Sequence, residues 1–208
     1  ANSSTTEWNG ELVLERNYNY SIDLISSCIF SRVPISYSSS ASVYGNGDGP
    51  LNLYAYSKLL VDRWVEKKLT EYHGVKIQGF RYFNVYGPNE WHKGTQASPF
   101  YQFEQQALET GQIRLFFGSE KFLRDFVHVD EVCDLQWKMS LCPESGIYDL
   151  GTGSQMSFRQ VAEQIASKHD AEIVEIPFPD HLRSHYQFNT IANMSAINEV
   201  MSKYKFGN

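Results

Sequence analysis

The sequence predicts an α/β fold with parallel strands, because apolar residues at helical spacing alternate along the chain with short β-prone runs. Helices that separate strands at this spacing are typical of crossovers between parallel strands. The composition suits a globular chain, with 42% hydrophobic, 14% aromatic and 20% charged residues. A length of 208 residues allows one domain or two small ones.

The first part of the chain contains two helix–strand pairs. Helical spacing over 17–30 precedes a β-prone run over 33–37. A second helix is predicted over 54–72, and a second buried strand over 75–83. The Ser- and Gly-rich stretch between these two pairs is predicted to be a loop.

The second part continues the alternation. Ser98 and Pro99 are suited to cap and begin a helix that ends near Gly111. Ser157 and Gln160 match a capping box that opens another helix. The remaining predicted segments are extended runs at 113–117 and 126–129, a helix through Val132, Leu135 and Met139, and strands at 147–150 and 172–176.

Charge and cysteine usage exclude several classes of protein. The formal net charge is −6, and Lys and Arg are scattered, which argues against a nucleic-acid partner. No apolar run reaches the roughly 18–20 residues of a membrane span, and the first residues lack a signal-peptide pattern. We therefore expect a soluble, cytoplasmic protein with no membrane partner. The three cysteines and six histidines show no metal-ligand spacing, so no metal is expected.

Tyr54-Ala-Tyr-Ser-Lys58 places a phenol and an ammonium group one helical turn apart. A nearby cation favours the phenolate, so Lys58 is expected to lower the pKa of Tyr54 toward the range of a general base. By itself this spacing is also that of an ordinary exposed helical pair. However, Ser38-Ser-Ser-Ala-Ser-Val-Tyr-Gly45 lies between the predicted strand and this helix, where α/β sheets present side chains to ligands.

The Ser-rich turn, the Tyr-x-x-x-Lys motif and Arg81-Tyr-Phe-Asn-Val-Tyr-Gly-Pro88 together resemble the extended short-chain dehydrogenase/reductase superfamily, in particular its NAD-dependent epimerase/dehydratase family. The resemblance implies a Rossmann-like parallel sheet with a smaller C-terminal substrate-binding part. It also implies that Ser40 orients the substrate hydroxyl, Tyr54 exchanges its proton and Lys58 binds the nicotinamide ribose.

Three further segments are similar to ADP-heptose 6-epimerases: Asn89-Glu-Trp-His-Lys-Gly94, Gly118 to Phe126, and Ile176-Pro-Phe-Pro-Asp180. This likeness implies epimerisation at C6 of an ADP-linked heptose, a precursor of the lipopolysaccharide core. The reaction would proceed by transient hydride transfer to bound NADP, with NAD as the alternative, through a 6-keto intermediate. The same likeness implies that Lys93 is a second catalytic acid/base group. Such a lysine must have its pKa lowered by burial or by a neighbouring cation.

The resemblance also assigns binding residues. The cofactor is assigned to Asn17, Lys58, Val85 and Lys93. The nucleotide sugar is assigned to Ser40, Asn84, Thr95, Gln102, Phe116, Phe117, Gly118, Ser119, Arg124 and Tyr186. Arg124 suits a diphosphate because a guanidinium fork binds one bidentately, whereas its alternative is a surface ion pair with Asp125 or Glu120. Gln102 stands where relatives have a substrate-contacting histidine, so the exact sugar stays open.

The sequence departs from the family in its glycines and its length. Its one glycine cluster, Gly45-Asn-Gly-Asp-Gly49, is followed by Pro50 and is predicted to be a loop, not a phosphate-binding turn. The interval from Ser40 to Tyr54 is also shorter than in relatives. We therefore expect an incomplete sheet, in a fragment, a divergent copy or a chain with segments omitted. The alternative functions are another nucleotide-sugar epimerase or dehydratase, and a truncated non-catalytic protein that binds sugar nucleotides.

Two structural parts are expected from these assignments. Residues 1–90 and 113–150 would form the later part of the dinucleotide-binding domain. Residues 91–112 and 151–208 would form the substrate-binding part. We also expect a homo-oligomer.

Overall fold

The computed structural model describes residue 4 and residues 7–180 and 186–206. Contacts between Cα atoms divide the chain into two compact units. The first unit comprises 1–82, 134–150 and 193–208, and the second comprises 83–133 and 151–192.

Helices and strands alternate through the described residues. The α-helices are α1 (Gly10–Val13), α2 (Tyr20–Ser31), α3 (Leu53–Glu71), α4 (Pro99–Thr110), α5 (Val129–Leu141), α6 (Phe158–His169) and α7 (Ser195–Lys203). The strands are β1 (Ile35–Ser40), β2 (Ile77–Tyr82), β3 (Asn84–Tyr86), β4 (Gln112–Phe116), β5 (Leu123–Arg124), β6 (Phe126–His128), β7 (Gly146–Leu150), β8 (Met156–Ser157) and β9 (Glu172–Ile176). None of the described helices combines the length and the apolar character needed to cross a membrane.

The first unit is built on a parallel sheet with the strand order β1-β2-β7. The register places Ser40 beside Tyr82, and Tyr82 beside Leu150, so the carboxyl ends of the three strands lie side by side. Helices α2 and α3 pack on this sheet. The buried residues of their shared core are Ile25, Val61, Val65 and Ile77.

The described residues of the second unit form three two-stranded pairings. Strands β4 and β9 are parallel, β3 and β6 are parallel, and β5 and β8 are antiparallel. Helices α4 and α6 pack together and against β4. The buried core of this unit consists of Phe103, Ala107, Ile113, Leu115, Phe126, Val161, Ala162 and Ile165.

The predicted helices that the structure confirms have a periodic apolar pattern or an N-terminal cap. Helix α3 begins after Asn52, whose side chain accepts a hydrogen bond from the Ala55 amide. The predicted Ser157–Gln160 capping box is confirmed, and so is Pro99 in the first turn of α4. Strands β3, β5 and β8 were not predicted, because two or three residues are too short to show a period. Helix α7 was also missed; it begins after Met194, which supplies no side-chain cap.

The two units differ from the predicted domain bounds at 83–90, 113–133 and 193–208. Strand β4 lies with the second unit because it pairs with β9 and packs on α4 and α6. Helix α7 lies with the first unit because it contacts β7. Sequence order along a helix–strand alternation does not specify which distant strand a segment will pair with.

Truncation of the second unit's core tests this arrangement. Ile113 is fully buried among α4 and α6 residues, so Ile113→Ala should lower the free energy of unfolding by about 2–5 kcal/mol through lost burial and a residual cavity. Leu108→Ala on the exposed face of α4 is the matched control, and it should change stability by less than about 0.5 kcal/mol. Urea unfolding of both variants measures the difference. Equal, small effects would contradict the core described here.

Candidate functional site

Ser40 lies at the carboxyl end of β1, where the chain leaves the sheet. It caps a short 3₁₀ turn, Ala41–Tyr44, by accepting a hydrogen bond of 3.2 Å from the Ser42 amide. Tyr54 lies in the first turn of α3 and forms a hydrogen bond with Ser40. The structure thus brings two of the predicted catalytic residues together in the first unit.

Lys58 lies one helical turn after Tyr54 and is 7% exposed. Its Nζ atom donates a hydrogen bond of 2.8 Å to the Ser38 carbonyl and lies 5.9 Å from the centre of the Tyr54 ring. Burial lowers the pKa of Lys58, and the charge of Asp62 opposes part of that change. The predicted Ser40–Tyr54–Lys58 set is therefore a compact group at the end of β1.

The pKa of Tyr54 departs from the sequence-based expectation. Burial raises it, and the hydrogen bond with Ser40 lowers it only in part, so the net direction is upward. The expectation that the pKa of Tyr54 is lowered toward the range of a general base is therefore wrong for this state of the protein. The phenol of Tyr54 is protonated at neutral pH.

Asp62 is a fully buried carboxylate, one helical turn after Lys58, that sequence reasoning missed. It accepts hydrogen bonds of 3.0 Å from the Tyr37 hydroxyl, 3.0 Å from the Ser39 hydroxyl and 2.7 Å from Arg81 Nε. These bonds connect α3 to the carboxyl ends of β1 and β2. The i, i+4 spacing from Lys58 is the signal that could have found it.

Arg81 continues this network toward β7. Its guanidinium donates a hydrogen bond of 2.8 Å to the Tyr44 hydroxyl, which in turn donates one of 2.6 Å to Asp149. Burial, followed by the bond to Asp149, raises the pKa of Tyr44 to about 12. The Ser-rich turn after β1 is thus tied to the neighbouring strands by charged partners.

Asn17 is a buried residue of the π-helical turn Leu14–Asn19. Its side-chain amide donates a hydrogen bond of 3.0 Å to the Ser57 hydroxyl, which donates one of 2.7 Å to the Tyr54 carbonyl. Single π-helical turns within helices are frequent at functional sites. Asn17 therefore supports the helix that carries Tyr54.

Asn84 and Val85 lie on β3 of the second unit. The Asn84 side-chain amide donates hydrogen bonds of 3.2 Å to the Asp125 carbonyl and to the Thr190 hydroxyl. Val85 pairs with Val127 of β6. Asn84 thus connects three segments of this unit.

Lys93 and Thr95 lie in the short helical segment Trp91–Gln96, and the Lys93 side chain is 41% exposed. The Lys93 ammonium lies 3.2 Å from a carboxylate oxygen of Glu90. The side chain of Gln102, on α4, donates hydrogen bonds to the carbonyls of Thr95 and Ala97. Gln102 therefore fixes the end of this segment, and Glu90 is a further residue that the sequence reasoning missed.

A cavity of about 460 Å³ lies in the second unit, beside α4 and β4. Three of the predicted substrate residues line it: Gln102, Phe116 and Ser119. The Ser119 hydroxyl is buried and has no hydrogen-bond partner among the described residues. Phe117 is exposed, and Gly118 has a φ of 80°. A buried hydroxyl without a partner is costly, so a ligand in this cavity would gain by bonding to it.

Arg124 is 6% exposed, so its guanidinium is a buried cation. It donates hydrogen bonds to the carbonyls of Leu123 and Gln187 and lies 5.3 Å from the centre of the Tyr186 ring. Burial lowers its pKa, and Tyr186 opposes that change. Within the described part of the chain Arg124 forms no ion pair. The alternative of a surface ion pair with Asp125 or Glu120 does not describe this side chain.

Comparison with known families gives the class of protein. The NAD dependent epimerase/dehydratase family matches residues 1–151. The match covers more than half of the chain, and the chain therefore belongs to this family.

Several solved structures of sugar-nucleotide enzymes have a similar fold. Helicobacter pylori ADP-L-glycero-D-manno-heptose-6-epimerase is 28% identical, with a TM-score of 0.77, over 98% of this chain and 69% of its own. UDP-N-acetylglucosamine 4-epimerase from Methanobrevibacter ruminantium is 21% identical, with a TM-score of 0.79, over 89% and 62%. Thermus thermophilus UDP-glucose 4-epimerase, in complex with NAD, is 23% identical, with a TM-score of 0.74, over 92% and 64%. The predicted Rossmann-like α/β fold is confirmed, and this chain spans about two thirds of these relatives.

The pair formed by Asp62 and Arg81 can be tested through stability. Asp62→Asn should lower the free energy of unfolding by about 3–5 kcal/mol, because it removes the charge that compensates a largely buried guanidinium. Asp134→Asn breaks an exposed pair with Lys138 on α5 and should cost about 1 kcal/mol or less. Denaturant unfolding at pH 7 compares the two variants. A cost at Asp62 no larger than at Asp134 would count against the anchoring role.

Proposed function

We propose that this protein is a nucleotide-sugar epimerase that inverts C6 of an ADP-linked heptose. Family membership supports the reaction class, and the 28% identity to a heptose epimerase over 98% of the chain supports the substrate class. The observation that carries the proposal is the group of Ser40, Tyr54 and Lys58 at the end of β1. A protonated phenol beside a serine hydroxyl and a buried ammonium can exchange a proton with a sugar hydroxyl.

Each residue of this group has a distinct task in the proposed reaction. Ser40 orients the reacting hydroxyl, and Tyr54 exchanges a proton with it. Lys58 supplies positive charge behind the phenol, which favours the phenolate at the moment when the proton leaves. Oxidation of the C6 hydroxyl releases a proton, so Tyr54 must lose its own proton before it can accept the one from the sugar; its raised pKa means that the phenol still carries that proton in this state.

The residues around Lys58 fit a bound nicotinamide ribose. An ammonium group has three N–H donors, and among the described residues one acceptor is found for them, the Ser38 carbonyl. A ribose would supply further acceptors to this buried group. The cofactor, when bound, accepts a hydride from the substrate carbon and returns it. We propose that Lys58 holds the ribose, with Asn17, Val85 and Lys93 as further contacts.

The second unit offers groups suited to a nucleotide diphosphate. Arg124 is buried without a carboxylate partner among the described residues, and a buried unpaired cation is costly unless a ligand compensates it. A diphosphate would do so through the guanidinium fork. We propose that Arg124 and Tyr186 bind the diphosphate, and that Phe116 to Ser119 bind the adjoining nucleotide beside the cavity.

Lys93 is proposed as the second acid/base group, and Asn84, Thr95 and Gln102 as substrate contacts. The Lys93 side chain is partly exposed, and its ion-pair partner is the Glu90 carboxylate, not a cation.

A second candidate is another nucleotide-sugar epimerase or dehydratase. The side chain of Gln102 is occupied in bonds to the Thr95 and Ala97 carbonyls. Because its amide nitrogen is occupied, Gln102 would offer a sugar mainly its carbonyl oxygen in place of the histidine of relatives, and this difference favours a different sugar. Turnover of a UDP-linked hexose in preference to an ADP-linked heptose would select this candidate.

Three expectations from the sequence remain predictions. They are NADP as the cofactor in preference to NAD, assembly as a homo-oligomer, and a place in the cytoplasm. A difference in affinity for the two dinucleotides, measured by fluorescence titration of the purified protein, tests the first of these.

Substitution of the two acid/base groups tests the reaction. Tyr54→Phe and Lys93→Ala should each lower the rate of C6 epimerisation by about two to four orders of magnitude, because each removes a positioned acid/base group. Interconversion of the two C6 epimers, followed by NMR, measures the rate, and circular dichroism checks the fold. Tyr56→Phe, at an exposed position on the same helix, is the matched control. Turnover by Lys93→Ala at the wild-type rate would remove Lys93 from the mechanism.

Arg124 should act mainly on binding. A diphosphate contact is the same in the ground and transition states, so Arg124→Ala should raise KM for an ADP-linked heptose with little change in kcat. Arg124→Lys should restore part of the affinity, because an ammonium lacks the planar fork. Steady-state kinetics of both variants, with thermal unfolding as a control for folding, provides the test. A fall in kcat at unchanged KM would place Arg124 at the reacting carbon instead.

A further inference from the structure

The Ser-rich turn after β1 contains a chain of hydroxyl groups that ends at Tyr54. The Ser42 hydroxyl donates a hydrogen bond of 2.9 Å to the Ser40 side-chain oxygen, and the Ser42 amide donates one of 3.2 Å to the same oxygen. Since both bonds use Ser40 as the acceptor, its own O–H remains available to the Tyr54 phenol, with which Ser40 also forms a hydrogen bond. Three hydroxyls therefore follow one another in the order Ser42, Ser40, Tyr54.

The outer end of this chain is open to water. Within the turn the side chains on either side of Ser42, those of Ala41 and Val43, are buried, whereas Ser42 keeps partial exposure. A sugar that presents its hydroxyl to Tyr54 would exclude water from the phenol. The two serine hydroxyls then remain as a route between the phenol and solvent.

The proposed reaction needs such a route. When Tyr54 takes the proton of the C6 hydroxyl and Lys93 protonates the oxygen on the opposite face, Tyr54 ends with one proton more and Lys93 with one fewer. Lys93 can regain its proton from water because its side chain is 41% exposed. Tyr54 must release a proton before the next turnover. Lys58 cannot take it, because an ammonium group has no acceptor.

We propose that Ser42 is the outer hydroxyl of a proton relay that carries the proton of Tyr54 through Ser40 to water. The inference rests on the proposed acid/base roles of Tyr54 and Lys93. In the releasing step the Tyr54 O–H bond breaks and an O–H bond forms at Ser40, while Ser40 passes its own hydrogen to Ser42 and Ser42 passes its own to water. A phenolate and a hydronium ion result, and both serines remain neutral hydroxyls with their hydrogen bonds reversed. Ser42 acts on the phenol through Ser40 and is therefore a positioning residue.

The exchange of the Tyr54 phenolic hydrogen with solvent tests the relay without substrate or cofactor. In an equal mixture of water and heavy water, tyrosine labelled with carbon-13 at the ring carbon that carries the oxygen gives distinct NMR signals for its O–H and O–D forms. Spectra over a range of temperatures give the exchange rate from the separate signals or from their merged line shape, and Tyr54→Phe assigns them. Ser42→Ala should slow this exchange by about tenfold, because it removes one hydrogen-bonded step.

Two further variants separate the relay from a structural role. Ser42→Thr keeps the hydroxyl and should exchange at the wild-type rate. Ser27→Ala removes an exposed hydroxyl that bonds to the Asp23 carbonyl on α2, and it should also leave the Tyr54 rate unchanged. An unchanged rate in folded Ser42→Ala would overturn the proposal. Faster exchange would do the same, because it would mean that Ser42 only closes the turn against water.

Turnover provides the second readout. Ser42→Ala should lower kcat for C6 epimerisation by about tenfold, and added imidazole, a small proton carrier, should restore the rate as its concentration rises. Wild-type protein and Ser42→Thr should not respond to imidazole. A low rate that imidazole leaves unchanged would contradict the relay. The proposed function fails separately, because absence of ADP-heptose turnover by the wild-type protein would remove that function while the exchange experiment still measures the effect of Ser42 on Tyr54.

Discussion

The hydrogen bonds to Asp62 are the constraint on which the candidate catalytic group depends. One buried carboxylate on α3 accepts bonds from Tyr37, Ser39 and Arg81, which lie on the two strands beneath it. Since Lys58 lies one turn away on the same helix, this anchor fixes the lysine, and Tyr54 beyond it, against the end of β1. The Asp62–Arg81 pair lies within a network that also satisfies the remaining lone pairs, which is the condition under which a buried ion pair is tolerated.

The second unit uses the same device. The Asp125 carboxylate accepts hydrogen bonds from the backbone amides of Thr152, Gly153 and Ala192. It therefore connects the turn after β7 to the segment that contains Ala192. At Gly151 a Cβ atom would lie 2.7 Å from this carboxylate, so only glycine allows the approach. Hydrogen bonds from backbone amides to an ionised carboxylate are stronger than those between neutral groups, so one buried carboxylate can hold several turns in place.

The sequence predicted the parts of the fold and site that depend on local spacing. Tyr54 and Lys58 are four residues apart, and the Ser157 cap and its glutamine partner are three apart. Glu90 could not be found in this way, because its main partner, Ser98, meets it only after the chain has turned back. Arg124 is similar: its acceptor is the carbonyl of Gln187, 63 residues further along the chain. The burial of a charged residue and its contacts with distant parts of the chain depend on the folded structure. The spacing of residues in the sequence does not show either of them.

The three candidate cations, Lys58, Arg124 and Lys93, have different surroundings. Lys58 and Arg124 are buried, and among the described residues neither contacts a carboxylate within ion-pair distance. Such burial costs free energy in the isolated protein. Protein carbonyls, and for Lys58 the charge of Asp62, offset part of that cost, and a ligand that brings oxygen atoms or negative charge would offset more of it. Lys93 is partly exposed and already paired, so a ligand gains little by neutralising it. Lys58 and Arg124 are therefore the two of these cations whose surroundings favour a bound ligand.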